Sequence, residues 1–381
     1  MDKIFDAIIL GGGASGMMCA CTAKGKTIAV VDSATKPAKK IMVTGNGRCN
    51  LTNLDVSSDC YNQNIDRFLD RFAQEETLRF FAELGLVTYA DEEGRVYPLS
   101  NSAKSVVDVL EYGAKGTTFF LGNRPEQIKK DAGIFLVSVG GKTIKSKKLV
   151  VATGGNCPHV LDMLGVKYKK FVPSLVSLSS KDTRDLNGVR VSNVLVTATN
   201  SRGEKKSERG EVLFRENGLS GIVIFDLSTL FARRGDFRGE VVVDLLPDLD
   251  QKYLEDLIKG RTGLDTTLDK IFVGMFANAV ANEIFKQSKI NTNAPCAALR
   301  DGDISLLAKK IKSLAFSVEG HLDNNQVHSG GVALEDLDEN LMYKKIDGLY
   351  FVGEVCDVDG VCGGYNLQWA WTSGHIVGEN L

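Results

Sequence analysis

The chain has 381 residues, of which 43% are hydrophobic and 25% are charged, and its formal net charge at pH 7 is −2. This composition is typical of a globular protein of two or three domains and argues against a disordered chain or a strongly basic nucleic-acid-binding protein. No apolar run approaches the ~18 residues of a membrane-spanning helix, and no signal peptide precedes the first apolar segment. We therefore expect a cytoplasmic protein without a membrane partner.

The N-terminal segment carries the pattern of a dinucleotide-binding βαβ unit. An apolar strand leads into a Gly-x-Gly-x-x-Gly loop from Gly11 to Gly16, which is followed by a helix-like stretch and a second apolar strand that ends at Asp32. In such a unit Gly11 permits a tight turn, Gly13 lets the backbone approach a pyrophosphate, and Gly16 allows close packing of helix on strand. Asp32 is placed to accept a hydrogen bond from a ribose hydroxyl.

The next part of the chain predicts further pieces of a cofactor site. Two glycines tighten the polar segment from Lys39 to Asn53. Periodic apolar residues predict a helix over 66–84, and a second helix is expected from about Ser102. A Gly-Gly turn predicts a hairpin whose last strand ends at the small-residue corner Thr153-Gly154-Gly155. Such a corner suits the far side of a bound nucleotide.

The sequence pattern changes at Pro173. From there, short runs of alternating apolar and polar residues, separated by polar turns, predict an antiparallel barrel or sandwich. The pattern becomes helical over 250–313 and then returns to short strands. We therefore predict an α/β protein with a Rossmann-like domain formed by both chain ends, over 1–172 and 335–381. A β-barrel-like domain over 173–249 and 314–334 and a small helical domain over 250–313 are inserted in it.

The C-terminal segment supplies the second half of the predicted site. An apolar strand from Leu349 to Val352 runs into Gly353-Glu354, a glycine-rich loop and a helix that begins near Gly364. A helix N-terminus presents unpaired N–H groups and the positive end of the helix dipole, which suits a phosphate or the electron-rich edge of a reduced flavin. A carboxylate after the strand can hold a sugar-like hydroxyl.

These residues together resemble the HI0933-like flavoprotein family, also called the aminoacetone oxidase or BaiN-like family. The resemblance runs nearly end to end. It rests on the glycine loop from Gly11 and on the motifs GNGRCNLTN (45–53), GRVYPLS (94–100), VVATGG (150–155), RGEVLF with GLSG (209–221), GGVAL (330–334) and the C-terminal GLYFVGEV, DVDG and GGYNLQWAW.

The resemblance implies FAD, bound without a covalent link. Carried onto matching positions, it predicts that the glycine loop takes the pyrophosphate, that Asp32 meets the adenosine ribose and that the backbone at Pro125 meets adenine. The ribityl chain and the pyrimidine edge would meet the C-terminal segment. The full set of expected cofactor-binding residues is Gly11, Gly13, Ala14, Ser15, Gly16, Asp32, Lys40, Asn46, Gly47, Arg48, Cys49, Asn50, Pro125, Thr153, Gly154, Gly353, Glu354, Gly364, Asn366, Leu367 and Gln368.

The chain departs from the family pattern in two places. The loop after Gly155 is shorter and poorer in glycine and serine than in relatives, which puts transferred substrate specificity in doubt. Cys356 and Cys362 occupy flavin-loop positions where cysteine is not expected. The eight cysteines contain no CxxC pair and no Cys/His zinc spacing, so no metal site is predicted.

Three functions remain open at this point. The first is an FAD-dependent oxidoreductase that reduces an activated C=C bond of a small molecule, or catalyses the reverse oxidation. Since there is one dinucleotide fingerprint, NAD(P)H would act as a transient donor. The second is an amine oxidase that releases hydrogen peroxide. The third is an RNA-modifying enzyme that reduces uridine in ribosomal RNA, for which the net charge gives little support but local clusters exist: Lys167, Lys169, Lys170, Arg233, Arg234, Lys309, Lys310 and Lys312.

Two residues are candidates for proton transfer. His328 precedes the Ser329-Gly330-Gly331 turn, and a histidine there can act as an acid or base near neutral pH; a hydrogen-bonded loop histidine is the alternative. Cys49 can act as a general acid if its thiol faces the flavin; the alternative is that its backbone packs against the cofactor. Cys49 has no partner at the spacing of dithiol flavoenzymes, which disfavours a disulfide reductase.

Overall fold

The computed structural model describes residues 3–155, 157–322 and 327–381. Its strands are β1 Ile4–Leu10, β2 Ile28–Asp32, β3 Thr52–Asn53, β4 Thr88–Ala90, β5 Arg95–Pro98, β6 Thr118–Leu121, β7 Pro125–Asp131, β8 Ile134–Val139, β9 Lys142–Val151, β10 Lys169–Ser174, β11 Leu178–Ser179, β12 Arg190–Asn200, β13 Lys205–Arg215, β14 Gly218–Ser220, β15 Gly239–Asp244, β16 Leu314–Val318, β17 Gly320–His321, β18 Val327–Gly331 and β19 Leu349–Phe351.

Ten α-helices lie among the described residues. They are α1 Ala14–Thr22, α2 Asp66–Leu69, α3 Gln74–Glu83, α4 Ala103–Gly113, α5 Pro158–Met163, α6 Ile222–Ala232, α7 Gln251–Gly260, α8 Asn278–Ser288, α9 Asp301–Lys312 and α10 Tyr365–Glu379. Within the described ranges, each helix is too short or too polar to cross a bilayer. Short 3-10 turns complete the chain, and the one over Gly353–Val355 contributes to the site described below.

The contacts divide the chain into two compact units, residues 1–172 with 327–381 and residues 173–326. The first unit contains a seven-stranded sheet in which β6, β2, β1, β9 and β19 run parallel, while β8 and β7 extend it as an antiparallel hairpin. Strands β1, β2 and β19 are largely buried apolar runs, as expected in the middle of a sheet covered on both faces. The predicted Rossmann-like fold built from both chain ends is therefore confirmed.

The second unit contains an antiparallel sheet in the order β16-β15-β12-β13-β14-β11-β17. The two strands at the ends of this order are separated in the chain by Glu319 alone, so the sheet has to curl back on itself. This agrees with the predicted barrel-like insertion. Helices α7 to α9 bury Leu254, Ile284 and Leu307 in the same apolar core as Val196 of the sheet. A separate helical domain therefore stays a prediction.

One predicted helix differs from the observed structure. The apolar pattern over 66–84 forms two helices, α2 and α3, instead of one. The break lies at Ala73, whose backbone is extended (φ −105°, ψ −154°) and whose N–H donates to the Glu76 carboxylate at 3.1 Å. The Glu76 carboxylate thus accepts a hydrogen bond from the residue that precedes α3, and this bond favours the start of a new helix. The spacing of apolar residues alone does not reveal such a bond.

Candidate functional site

The first glycine loop turns sharply and leaves open space in front of α1. Gly11 has φ +104°, and a Cβ on it would lie 2.3 Å from the carbonyl oxygen of Ala152. A Cβ on Gly16 would lie 2.0 Å from the carbonyl oxygen of Gly11, whereas one on Gly13 would meet nothing within 4 Å. No side chain caps the N-terminus of α1. Free backbone N–H groups beside an open cradle fit a pyrophosphate.

Asp32 braces this loop at the end of β2. Its Oδ2 accepts from the backbone N of Gly12 at 2.6 Å, and its Oδ1 accepts from the backbone N of Ala34 at 2.7 Å. Each carboxylate oxygen keeps a lone pair after these bonds, so the predicted contact with a ribose hydroxyl is compatible with this arrangement and stays a prediction.

A cavity of about 410 Å³ opens beside the loop. It is lined by four residues that the sequence assigned to the cofactor, Gly11, Asp32, Pro125 and Thr153, which come from four separate stretches of chain. The side chains of Arg124, Cys157 and His159 line it as well. Its volume and its mixed polar and apolar wall suit the adenosine end of a dinucleotide.

The C-terminal segment meets the glycine loop directly. Strand β19 pairs with β9, and the chain then turns at Gly353, which has φ +73°. A Cβ on Gly353 would lie 2.5 Å from Ser15 Oγ, and one on Gly374 would lie 2.4 Å from the carbonyl oxygen of Ser15. Because Gly353 and Gly374 have no side chain, the 3-10 turn and α10 can pack closely against α1. The two halves of the predicted site therefore lie next to each other.

The N-terminus of α10 also lacks a side-chain cap. Its first flanking residue, Gly364, has φ +101°, and a Cβ there would lie 2.6 Å from the carbonyl oxygen of Thr52. Asn366 holds the preceding loop, because its amide donates to the carbonyl oxygen of Gly360 at 2.9 Å and accepts from that residue's N–H at 3.0 Å. Gly364 to Leu367 remain half-buried, which leaves this helix end accessible.

The segment predicted to wrap the cofactor has a tightly wound backbone. Gly45, Asn46, Gly47 and Cys49 all have φ between +55° and +83°. The Arg48 guanidinium stacks 4.5 Å from the ring centre of Tyr97, and Asn46 and Arg48 are exposed. With its amide turned to satisfy both neighbours, Asn50 donates to Thr52 and accepts from Gly364, which ties this segment to α10.

Burial bears on two of the predicted side-chain contacts, those of Cys49 and Gln368. A group that touches a cofactor has to be accessible in a ligand-free structure, and the side chains of Cys49 and Gln368 are fully buried. Burial raises the pKa of the Cys49 thiol to about 12, with a smaller opposing effect from a hydrogen bond to Thr44, so the thiol is a poor acid. Burial therefore disfavours the predicted catalytic role of Cys49, which stays a prediction.

Gln368 belongs to a polar network inside the protein. Its amide donates to Thr77 Oγ1 at 2.9 Å and to Thr372 Oγ1 at 3.0 Å, and its Oε1 accepts from Thr52 Oγ1 at 2.6 Å. Both donors are used within the protein, so the side chain fixes α10 on its neighbours, and its contact with the flavin stays a prediction.

The corner after β9, the turn at Gly353 and strand β18 bring together a charged cluster. Glu354 Oε2 accepts from Lys40 Nζ at 2.8 Å, while Oε1 accepts from the backbone N of His328 at 2.7 Å and lies 3.2 Å from its Nδ1. Gly155 packs against both residues. Burial alone raises the pKa of Glu354, but Lys40 and His328 outweigh it and lower the pKa to about 2. The carboxylate is therefore ionised at neutral pH.

Sequence reasoning missed the residues that hold the loop before α10. Asn62 donates to the carbonyl oxygen of Asp357 at 3.2 Å and accepts from the backbone N of Asp359 at 3.0 Å. Tyr61 donates to the carbonyl oxygen of Tyr365 at 2.9 Å. No local pattern marks these residues, because their partners lie about 300 positions away. None of the eight cysteines, all of which lie in the described residues, is in a disulfide, so Cys356 and Cys362 are not linked to each other.

Known proteins are similar to this chain over nearly its whole length. The HI0933-like protein Rossmann domain family matches residues 5–380. The chain is 32% identical to the 3-dehydro-bile acid delta(4,6)-reductase of Clostridium scindens, with 97% of each chain covered. It is 30% identical to the ribosomal RNA dihydrouridine synthase of Escherichia coli K12, with 99% of this chain and 98% of the relative covered.

Among solved structures, the 3-ketosteroid delta1-dehydrogenase of Sterolibacterium denitrificans matches with a TM-score of 0.49 and 12% identity over 99% of both chains. The glycine cradle, the 410 Å³ cavity and the two uncapped helix ends fit an extended dinucleotide cofactor. The chain belongs to the HI0933-like family and is an FAD-dependent oxidoreductase.

Proposed function

We propose that this enzyme reduces a carbon–carbon double bond conjugated to a carbonyl group in a small molecule, and that the same site supports the reverse oxidation. The observation that carries the proposal is the contact between His328 and Glu354 beside the Gly155 corner, which supplies a proton-transferring group at the junction of the cofactor-binding segments. The names of both relatives describe addition of hydrogen across a C=C bond, in a bile acid and in uridine.

The division of labour follows from the reaction. Reduced FAD, when bound, supplies two electrons and one hydrogen. The second hydrogen enters the carbon next to the carbonyl group as a proton, and we assign its delivery to Nε2 of protonated His328. The ionised Glu354 stabilises the imidazolium before transfer, and water returns the proton to the ring afterwards. The cofactor contacts expected of Gly11, Gly13, Ala14, Ser15, Gly16, Asp32, Lys40, Pro125, Gly353 and Glu354 belong to this proposal.

The electron donor is a second part of the proposal. We infer that NADH or NADPH reduces the flavin during a transient encounter, because the sequence holds one dinucleotide fingerprint and we assign it to FAD. Anaerobic mixing with NADH, NADPH and a panel of primary amines separates this from the amine oxidase alternative. Bleaching by a nicotinamide followed by rapid reoxidation with an enone supports the proposal. Bleaching by an amine alone, with hydrogen peroxide release in air, overturns it.

Ribosomal RNA is the second candidate substrate, supported by the identity to the Escherichia coli relative. We place it after a small molecule because part of the clustered positive charge is neutralised locally. The ion pairs that do this are Lys169–Asp357, Arg234–Glu204 and Lys312–Asp244. Salt-sensitive binding of ribosomal RNA, together with RNA-dependent reoxidation of the reduced flavin, would reverse this order.

The role of His328 is tested by His328→Asn. We expect reoxidation of the flavin by an enone to slow by about 100-fold, since general acids contribute roughly 10²–10⁴-fold. Reduction by the nicotinamide should be unchanged. His375→Asn is the matched control, because the half-buried His375 ring stacks on Phe72, with 3.9 Å between the ring centres, and is not part of the Glu354 cluster. Unchanged enone reduction in His328→Asn would remove the catalytic assignment.

A further inference from the structure

The Lys40–Glu354–His328 chain of contacts has a role beyond attraction between charges. We propose that Glu354 is a positioning residue that fixes the neutral His328 ring in its Nδ1–H tautomer, and that Lys40 restrains Glu354 for this task. The inference deepens the proposed function, on which its catalytic meaning rests, because it specifies which nitrogen of His328 meets the substrate.

The hydrogen-bonding pattern determines the tautomer. An ionised carboxylate only accepts hydrogen bonds, so an imidazole nitrogen that faces one has to carry the hydrogen. Nδ1 of His328 lies 3.2 Å from Glu354 Oε1, and the same oxygen accepts from the backbone N of His328 at 2.7 Å. Two bonds to one oxygen hold the backbone and the ring together. The neutral ring therefore carries its hydrogen on Nδ1.

The other ring nitrogen is left for a ligand. Nε2 of His328 has no hydrogen-bonding partner among the residues that the structure describes, and it does not belong to the fully buried unpaired atoms found there. The side chain is 8% exposed. With Nδ1 committed to Glu354, Nε2 is the atom that gives or takes a proton at the surface of the site.

Close packing keeps the ring from leaving this orientation. A Cβ on Gly155 would lie 2.6 Å from Cβ of His328 and 2.7 Å from Glu354 Oε1. Any larger residue at position 155 would therefore push the imidazole and the carboxylate apart. The glycine brings the two groups against the corner that follows β9.

Lys40 contributes more to the orientation of the Glu354 carboxylate than to the stability of the folded protein. Its side chain is 53% exposed, and an ion pair this exposed contributes little to folding stability. Its Nζ nevertheless binds the Glu354 oxygen opposite the one that meets His328, at 2.8 Å. A carboxylate held at Oε2 by Lys40 and at Oε1 by the His328 backbone has one orientation available.

The test reads the tautomer by NMR without turnover. The FAD-bound enzyme is labelled with ¹⁵N-histidine, and ring nitrogen shifts are recorded up to a pH where the rings are neutral. The chain has four histidines, so His328→Asn identifies the relevant signals by their loss. We expect the shifts of an Nδ1–H ring in the wild type. Shifts of an Nε2–H ring would overturn the inference without any further variant.

Two variants at position 354 separate positioning from packing. Glu354→Ala should release the ring to a mixture of tautomers, whereas Glu354→Gln keeps an accepting oxygen and should retain most of the Nδ1–H form. Lys40→Met should lower the Nδ1–H fraction by less than Glu354→Ala does. An unchanged tautomer in Glu354→Ala would refute the positioning role of Glu354. An unchanged Nδ1–H fraction in Lys40→Met would show that Lys40 has no part in positioning His328.

The outcome is separable from the proposed function. A wild-type Nδ1–H ring together with full enone reduction by His328→Asn would leave the positioning intact and reject the proton transfer. An Nε2–H ring in the wild type together with slowed enone reduction by His328→Asn would keep His328 as the acid and reject its positioning by Glu354.

Discussion

The hydroxyl of Ser15 donates a 3.4 Å hydrogen bond to the carbonyl oxygen of Val352, a residue 337 positions further along the chain. The next residue, Gly353, is so close that a Cβ on it would lie 2.5 Å from Ser15 Oγ. This contact joins the N-terminal glycine loop to the C-terminal turn. The predicted cofactor site therefore forms only where the N-terminal and C-terminal segments pack together.

Substitution of Gly353 tests this junction. Gly353→Ala should destabilise the FAD-free protein by about 2–4 kcal/mol, because it combines a steric overlap with strain at φ +73°. The double variant Ser15→Gly/Gly353→Ala removes the Ser15 side chain and should recover part of this loss. Urea unfolding of all three proteins measures the difference. Equal stability of the single and double variants would show that Ser15 is not the obstacle.

Two glycines of the first loop should separate folding from cofactor binding. A Cβ on Gly11 overlaps the Ala152 carbonyl, whereas one on Gly13 meets only open space. We expect Gly11→Ala to lower the melting temperature of the FAD-free protein. Gly13→Ala should leave that temperature unchanged and weaken FAD binding by at least about tenfold, since the methyl group occupies the pyrophosphate cradle. Flavin fluorescence titration gives the affinity; unimpaired binding in Gly13→Ala would contradict the assignment.

The ionised state of Glu354 predicts a pH dependence of stability. Its pKa in the folded protein is lowered to about 2 from an ordinary value of 4.5, so its contribution is fully present above pH 4.5 and is lost as the pH falls towards 2. The contribution is on the order of 2–3 kcal/mol. Compared with the wild type, Glu354→Gln should lose less stability over this interval. The free energy of unfolding is measured with urea at each pH for the two FAD-free proteins. An equal loss in both proteins as the pH falls would refute this prediction.

The buried thiol of Cys49 predicts an effect at alkaline pH. Burial raises its pKa in the folded state to about 12, so its stabilising contribution is present below the ordinary value of 9.0 and is lost as the pH rises from there. Cys49→Ser should therefore lose less stability than the wild type between pH 8 and about pH 10.5, by about 2 kcal/mol at the upper end. It should also retain enone reduction, and a large loss of activity would restore Cys49 as a catalytic candidate.

Gln368 should matter for stability and little for the cofactor. Gln368→Ala leaves three buried threonine hydroxyls short of a partner and should cost about 2–4 kcal/mol of unfolding free energy. Asn366→Ala is the comparison, because it releases the half-buried loop before α10 and should weaken FAD binding more than it affects folding. If Gln368→Ala weakened FAD binding strongly and left the stability unchanged, Gln368 would be a cofactor-binding residue instead.

Local chemistry in the sequence determined a large part of this protein. The apolar strand, the glycines at 11, 13 and 16 and the acid at position 32 define a βαβ unit because each satisfies a requirement of its own turn. The glycine-rich C-terminal segment likewise predicts a strand, a turn and an uncapped helix. Both predictions need only neighbours within about 30 residues, and the family resemblance extended them to FAD.

Tertiary structure alone decided which side chains reach the site. Positions 49 and 368 lie inside segments predicted to hold the cofactor, yet both side chains are buried, and Gln368 is hydrogen-bonded to Thr77, 291 positions away. The Lys40–Glu354–His328 cluster joins residues from three distant segments. Sequence patterns report the period and turns of one segment at a time, whereas burial and charge pairing are set by the segments that the fold brings against it.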